Sequence, residues 1–178
     1  VADCVPILLA DRLTGAPGAI HAGWRGTCAR VGPAAVGMMR ERFGTEPAAL
    51  VAAIGPSIGP DDYEVGESLV EAFQQAGHAA GDLARWFERR DRRLLLDLWA
   101  ANRDQLVEAG MQPDRIFCCG LSTLVHPEIF ESFRSAGAAA GRMTAIVAVP
   151  GPPARRWRTD RAIQTARAMA CRSGAPVR

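Results

Sequence analysis

The chain has 178 residues, nearly half of them apolar, and a formal net charge of +2. That length suits one domain with a sizeable core. The near-balanced charge leaves no footprint for nucleic acid or an anionic membrane surface, and no apolar run approaches the ~20 residues of a membrane span.

Five cysteines, an odd number without CxxC spacing, predict a reduced, cytoplasmic protein rather than a disulfide framework. The chain opens directly on "VADCVPILLAD", so no leader is expected. Residues 5–11 are a β-branched and aliphatic run that predicts a buried strand. Gly15, Pro17 and Gly18 mark a loop, and 19–23 a second strand. Thr27 is a candidate cap for a helix over 28–43, weakened early by Gly32 and Pro33 and stopped at Gly44. Residues 49–60 predict an apolar strand running into a Gly-Pro loop. Val65, Leu69, Val70 and Phe73 have helical spacing within 65–77. The stretch 92–97 reads as a strand, and from Leu98 to Gly110 as a helix. A strand over 115–120, a helix over 126–137 with Pro127 first, and a strand over 142–149 follow. The Pro/Arg-rich 150–178 is expected to be a C-terminal extension outside the 1–149 domain. Alternating strands and helices of this kind predict an α+β fold, mixed β-sheets flanked by helices.

Two chemically capable residues stand at the ends of the first two strands, Cys4 in "ADC" and His21 in "HAGWRG". If the strands form an antiparallel hairpin whose loop centres between residues 12 and 13, Cys4 lies opposite His21. A loop centred a residue or two later makes them diagonal. Any odd register puts them on one face, because the strand period is two. A thiol and an imidazole on one face can bind a borderline metal such as zinc, or form a nucleophile–base pair, or simply pack. Asp3 could orient a ring or accept a hydrogen bond. Arg25, between Trp24 and Gly26, offers a bidentate guanidinium to phosphate, beside the N-terminus of the expected helix.

These blocks resemble a known family. "ADCVPILLAD", "GAIHAGWRGT", "AAIGPSIGPDDYEVG", "LDLWAANRDQLVEAG" and "STLVHPEIFESFRSAGAAAGR" stand in the order seen in the YfiH-like laccase-domain family, also called multicopper polyphenol oxidase or peptidoglycan editing factor proteins. The resemblance covers about residues 1–149. It implies a zinc-dependent purine nucleoside phosphorylase acting on adenosine, inosine, guanosine and methylthioadenosine, with adenosine deaminase activity. Copper is the weaker expectation, because a multicopper oxidase needs many histidines and this chain has three. The resemblance implies Cys4 and His21 as metal ligands and catalytic residues. It places a further histidine ligand upstream of the first residue, so the chain is expected to be N-terminally truncated.

Arg25, Tyr63 and Arg142 are the expected substrate and phosphate contacts, with Arg134 beside them. His126 is expected at the rim, and His78 in an exposed loop. The implied fold is similar to that of deamidating toxins, and the implied upstream ligand and strands are missing, so two alternatives stand, one from each. One is a metal-free Cys–His hydrolase or amidase of the peptidoglycan-editing type. The other is an inactive remnant acting as a binding domain.

Overall fold

The computed structural model describes residues 1–148. The expected extension over 150–178 lies outside the described residues. β1 (Val5–Asp11) and β2 (Pro17–Ala22) form the antiparallel hairpin, followed by α1 (Trp24–Cys28), α2 (Val31–Phe43) and β3 (Leu50–Ile54). α3 (Glu67–Gln75), α4 (Ala80–Trp86), the hairpin β4 (Phe87–Arg90) and β5 (Arg93–Leu96), and α5 (Leu98–Glu108) come next. β6 (Ile116–Cys118) and the short α6 (Phe133–Ala136) complete it. The main sheet runs β2-β1-β3-β6, with β1 antiparallel to both neighbours and β3 parallel to β6. The fold is therefore the mixed α+β architecture. Among the described residues no helix is long and apolar enough to cross a membrane.

The pleat divides β1 between two tasks. Val5, Ile7 and Leu9 are fully buried and meet Ile20, Ala22, Leu50, Ala52 and Ile54 in one core beneath α2 and α5. Burying each such aliphatic side chain contributes about 1.5–3 kcal/mol. Alternation then turns Cys4 and Pro6 to the opposite face. The β1–β2 turn is organised by Asp11, whose carboxylate accepts the Leu13 and Thr14 amides and the Thr14 hydroxyl at 2.8, 3.2 and 2.7 Å.

Four expectations need correction. The helix expected from Thr27 through 43 is two helices. Arg30 takes a left-handed conformation (φ 57) that breaks the ladder, and α1 starts earlier, with Gly23 as its cap. Pro33 sits in the first turn of α2, where its missing N–H costs nothing.

His78 is buried, 6% exposed, rather than in an exposed loop, and α4 and β4 follow it in a stretch to which the sequence assigned no element. Gly77 (φ 81) turns the chain back, the His78 amide bonds to the Phe73 carbonyl, and the ring packs on Phe73 and Trp86.

Helix over 126–137 survives only as α6. His126–Phe130 forms a turn, and Ser132 caps α6 by accepting the Ser135 amide. Through residue 148 the last expected segment is not a strand. Its ladder among the described residues is a two-way backbone pair between Met143 and Val1, and Ile146 is 77% exposed.

Candidate functional site

Register settles the geometry of the first two candidates. Pro6 pairs with His21 and Val5 with Ala22, and one step beyond that last pair sets Cys4 against Gly23. Cys4 and His21 are thus diagonal neighbours on the non-core face. They line an open cavity of about 480 Å³, together with Arg25, Tyr63, Arg134 and Arg142. All five expected site residues therefore lie around one cavity, and Arg134 joins them. His78 and His126 are not among its lining residues.

Asp3 fixes the turn that presents Cys4. It adopts φ 72, a conformation that Asp tolerates better than most residues. Its carboxylate accepts Thr123 Oγ1 at 2.7 Å, Ser132 Oγ at 3.2 Å and the Arg134 amide at 2.6 Å, and its carbonyl accepts the Ile58 amide at 3.0 Å. One carboxylate thus bolts the "ADC" turn to the loop that carries Phe133 and Arg134. Sequence reasoning saw Asp3 as an acceptor but not as this junction.

The electrostatics favour neutral Cys4 and His21. Burial pushes the Cys4 thiol up, and the Asp3 carboxylate adds to this. Burial pushes the His21 imidazolium down. Tyr63 is also raised by burial, partly offset by Arg134.

Three arginines supply the positive charge, and each lies near an aromatic ring. Arg25 stands 4.4 Å from the Trp24 ring centre, Arg134 5.1 Å from that of Tyr63, and Arg142 5.9 Å from that of Phe133. Arg134 also donates to the Glu64 carbonyl, and Arg142 to those of Ala140 and Gly141. Among the described residues none of the three is ion-paired to a carboxylate, whereas Arg30, Arg85, Arg89 and Arg90 are. A guanidinium resting on a ring keeps in-plane N–H donors for an anion. Phe133 was missed in the sequence, where "SFRS" carries no signal beyond its place in the resembling block.

Cys4 and His21 are donors of the kind zinc takes, but catalytic zinc ordinarily has three protein ligands. Among the described residues no group of three His, Cys, Asp or Glu side chains could hold a metal. The described residues thus supply two donors and do not complete a metal centre, for zinc or for copper.

Comparison with known proteins identifies the family. The sequence model of the family described as multi-copper polyphenol oxidoreductase laccase matches residues 1–150. A protein of Bacteroides thetaiotaomicron named purine nucleoside phosphorylase is 40% identical over 144 residues, covering 80% of this chain and 52% of that protein. Adenosine deaminase RL5, from an unknown prokaryotic organism, is 44% identical over 110 residues, covering 62% of this chain and 41% of that protein. The crystal structure of YfiH from Bacillus licheniformis superposes with a TM-score of 0.69 at 32% identity, covering 75% of this chain and 50% of that one. The chain spans about half the length of the curated relatives it matches. It belongs to the YfiH-like laccase-domain family, the multi-copper polyphenol oxidoreductase laccases.

Proposed function

We propose that this chain carries the thiol–imidazole side of a purine nucleoside phosphorylase site, with adenosine deamination as a second activity. The observation that carries the reading is the shared cavity. Cys4 and His21 face the same space as three arginines that lack carboxylate partners among the described residues. The names of the relatives supply the substrate class.

In the reaction, a phosphate oxygen forms a bond to the anomeric carbon while the glycosidic C–N bond breaks. The bonding pair leaves with the purine, which takes up a proton, and the products are free base and sugar 1-phosphate. Arg25 and Arg142 hold the phosphate dianion, so its charge is positioned before attack. Tyr63 forms part of the substrate wall. Cys4 and His21 are the reactive groups whose removal abolishes turnover. A zinc ion drawing on them needs a third donor from outside the described residues.

The metal-free cysteine hydrolase reading has weaker support. Burial and Asp3 both favour the thiol over the nucleophilic thiolate. The test is release of free base from adenosine, inosine, guanosine and methylthioadenosine, with and without phosphate, by the chain extended to the length of its relatives. Phosphate-dependent release, lost in Cys4→Ala and His21→Ala, is the expected result. Release indifferent to phosphate overturns the reading, and ammonia from glutamine side chains without nucleoside cleavage installs the hydrolase instead.

A further inference from the structure

The block "LDLWAANRDQLVEAG" places Asn102 and Gln105 three residues apart on one side of α5, both 1% exposed. Buried amides are costly in a core unless their hydrogen bonds are made. Their donors go to α1. Asn102 Nδ2 donates to Thr27 Oγ1 at 3.0 Å and to the Leu98 carbonyl at 2.8 Å, and Gln105 Nε2 donates to the Thr27 carbonyl at 2.9 Å. From the other side buried His78 donates through Nε2 to the Cys28 carbonyl at 2.8 Å. Three side chains from two regions of the chain therefore converge on the last two residues of one short helix.

α1 needs such tethers. It has five residues, and the left-handed Arg30 separates it from α2. So short a helix is unstable by itself; backbone amides reach its Arg25 and Thr27 carbonyls, from Ala29 and Arg30, while the Cys28 carbonyl is met by His78. The same helix carries Trp24 and Arg25 into the cavity. Arg25 has no carboxylate partner among the described residues to steer it; its guanidinium rests on the Trp24 ring of the same turn. Where α1 is held thus decides where the Arg25 guanidinium lies.

The acceptors of the three tethers argue against simple packing. His78 Nδ1, Asn102 Oδ1 and Gln105 Oε1 are buried without a partner. Apolar side chains of the same volume would carry no such penalty, so the donors are what these positions retain.

We propose that His78, Asn102 and Gln105 are positioning residues for Arg25, holding α1 so that its guanidinium is set for an anion. The proposal rests on the reading of Arg25 as a phosphate contact.

Its test is titration of the full chain with inorganic phosphate by calorimetry, with thermal unfolding measured in parallel. Gln105→Met and His78→Phe keep volume and remove the donor. Each is expected to weaken phosphate binding about threefold to tenfold. His78→Gln, which keeps an amide donor, is expected to restore most of it. In an Arg25→Ala background Gln105→Met and His78→Phe are expected to cost no further phosphate affinity while still lowering the melting temperature.

Equal losses with and without Arg25 overturn the proposal, as does equal binding by His78→Phe and His78→Gln. If Gln105→Met does not fold, the two His78 variants decide. If Arg25→Ala binds phosphate like the unsubstituted chain, or that chain binds none, the Arg25 reading has failed first, and the positioning role falls with it.

Discussion

Gly23→Ala isolates the position of the Cys4 sulfur from the stability of the fold. Gly23 has φ −72 and ψ 175, which alanine adopts without strain. The added methyl restricts the unfolded chain and by itself stabilises by about 0.4–1 kcal/mol. Its carbon, however, would lie 2.7 Å from Cys4 Sγ and 3.6 Å from Cys4 Cβ. Non-bonded carbon contacts are comfortable at about 3.5–4 Å, so the sulfur must retreat by roughly 1 Å. A side chain pushed about 30° off its rotamer to do so costs about 0.5–1.5 kcal/mol. The two effects nearly cancel, and the melting temperature should move little.

Chemistry at the site should respond far more, since a misplacement of about 1 Å can cost around a hundredfold in rate. The assay follows alkylation of Cys4 by peptide mass spectrometry, with Cys28, Cys118 and Cys119 as internal references, alongside phosphorolysis. Unchanged Cys4 alkylation and unchanged turnover would refute the argument. So would a stability loss above about 3 kcal/mol, which would mean that the backbone and not the sulfur absorbs the clash.

Three further outcomes are expected. Asp11 is pushed up by burial but held at about 2 by the Thr14 hydroxyl and the Leu13 and Thr14 amides, which outweigh burial. Its pKa is depressed relative to the unfolded chain, so it contributes about 2 kcal/mol that is present above about pH 4 and lost as pH falls toward 2; denaturant titrations should show Asp11→Asn flattening that limb. Asp3→Ala leaves the buried Thr123 and Ser132 hydroxyls and the Arg134 amide without their acceptor, a loss of about 3 kcal/mol by denaturant unfolding, with Asp3→Asn losing less than half as much. Arg25→Ala should raise the phosphate KM about tenfold to a hundredfold and leave the nucleoside KM nearly unchanged, which steady-state kinetics at varied phosphate will measure.

The first two strands and the shared face of Cys4 and His21 were legible, because moving the turn centre by a whole residue changes the register by two and keeps the face. The turn centres one residue later than the tightest expectation, since Asp11 organises Leu13 and Thr14 around its carboxylate. The pair became diagonal and kept its face. Other features depend on distant partners and were not legible. His78 stands among glycine and alanine in sequence, and its burial comes from Phe73, Trp86 and the Cys28 carbonyl. The helix expected over 126–137 is confined to Phe133–Ala136, whose start is fixed by Ser132 and the Arg134 amide bonding to Asp3, well over a hundred residues away. Gly32 and Pro33 drew attention to the wrong residues, because the break at Arg30 lies in a backbone angle that composition does not announce.

The same pleat that made the pair legible separates the consequences of mutation along one strand. Val5, Ile7 and Leu9 face the core, so truncating them opens cavities and costs stability wherever the site stands. Cys4 lies on the other face, with its sulfur over Gly23 and its preceding residue locked to the Arg134 loop. Changes there move reactive atoms with little loss of buried apolar area. A one-residue slip of the hairpin would exchange the two sets, burying the thiol and exposing the aliphatic row. Stability therefore selects the register that also exposes Cys4 and His21 to the cavity. The Asp11 turn, at the far end of the hairpin from Cys4, takes part in setting the site through that register alone.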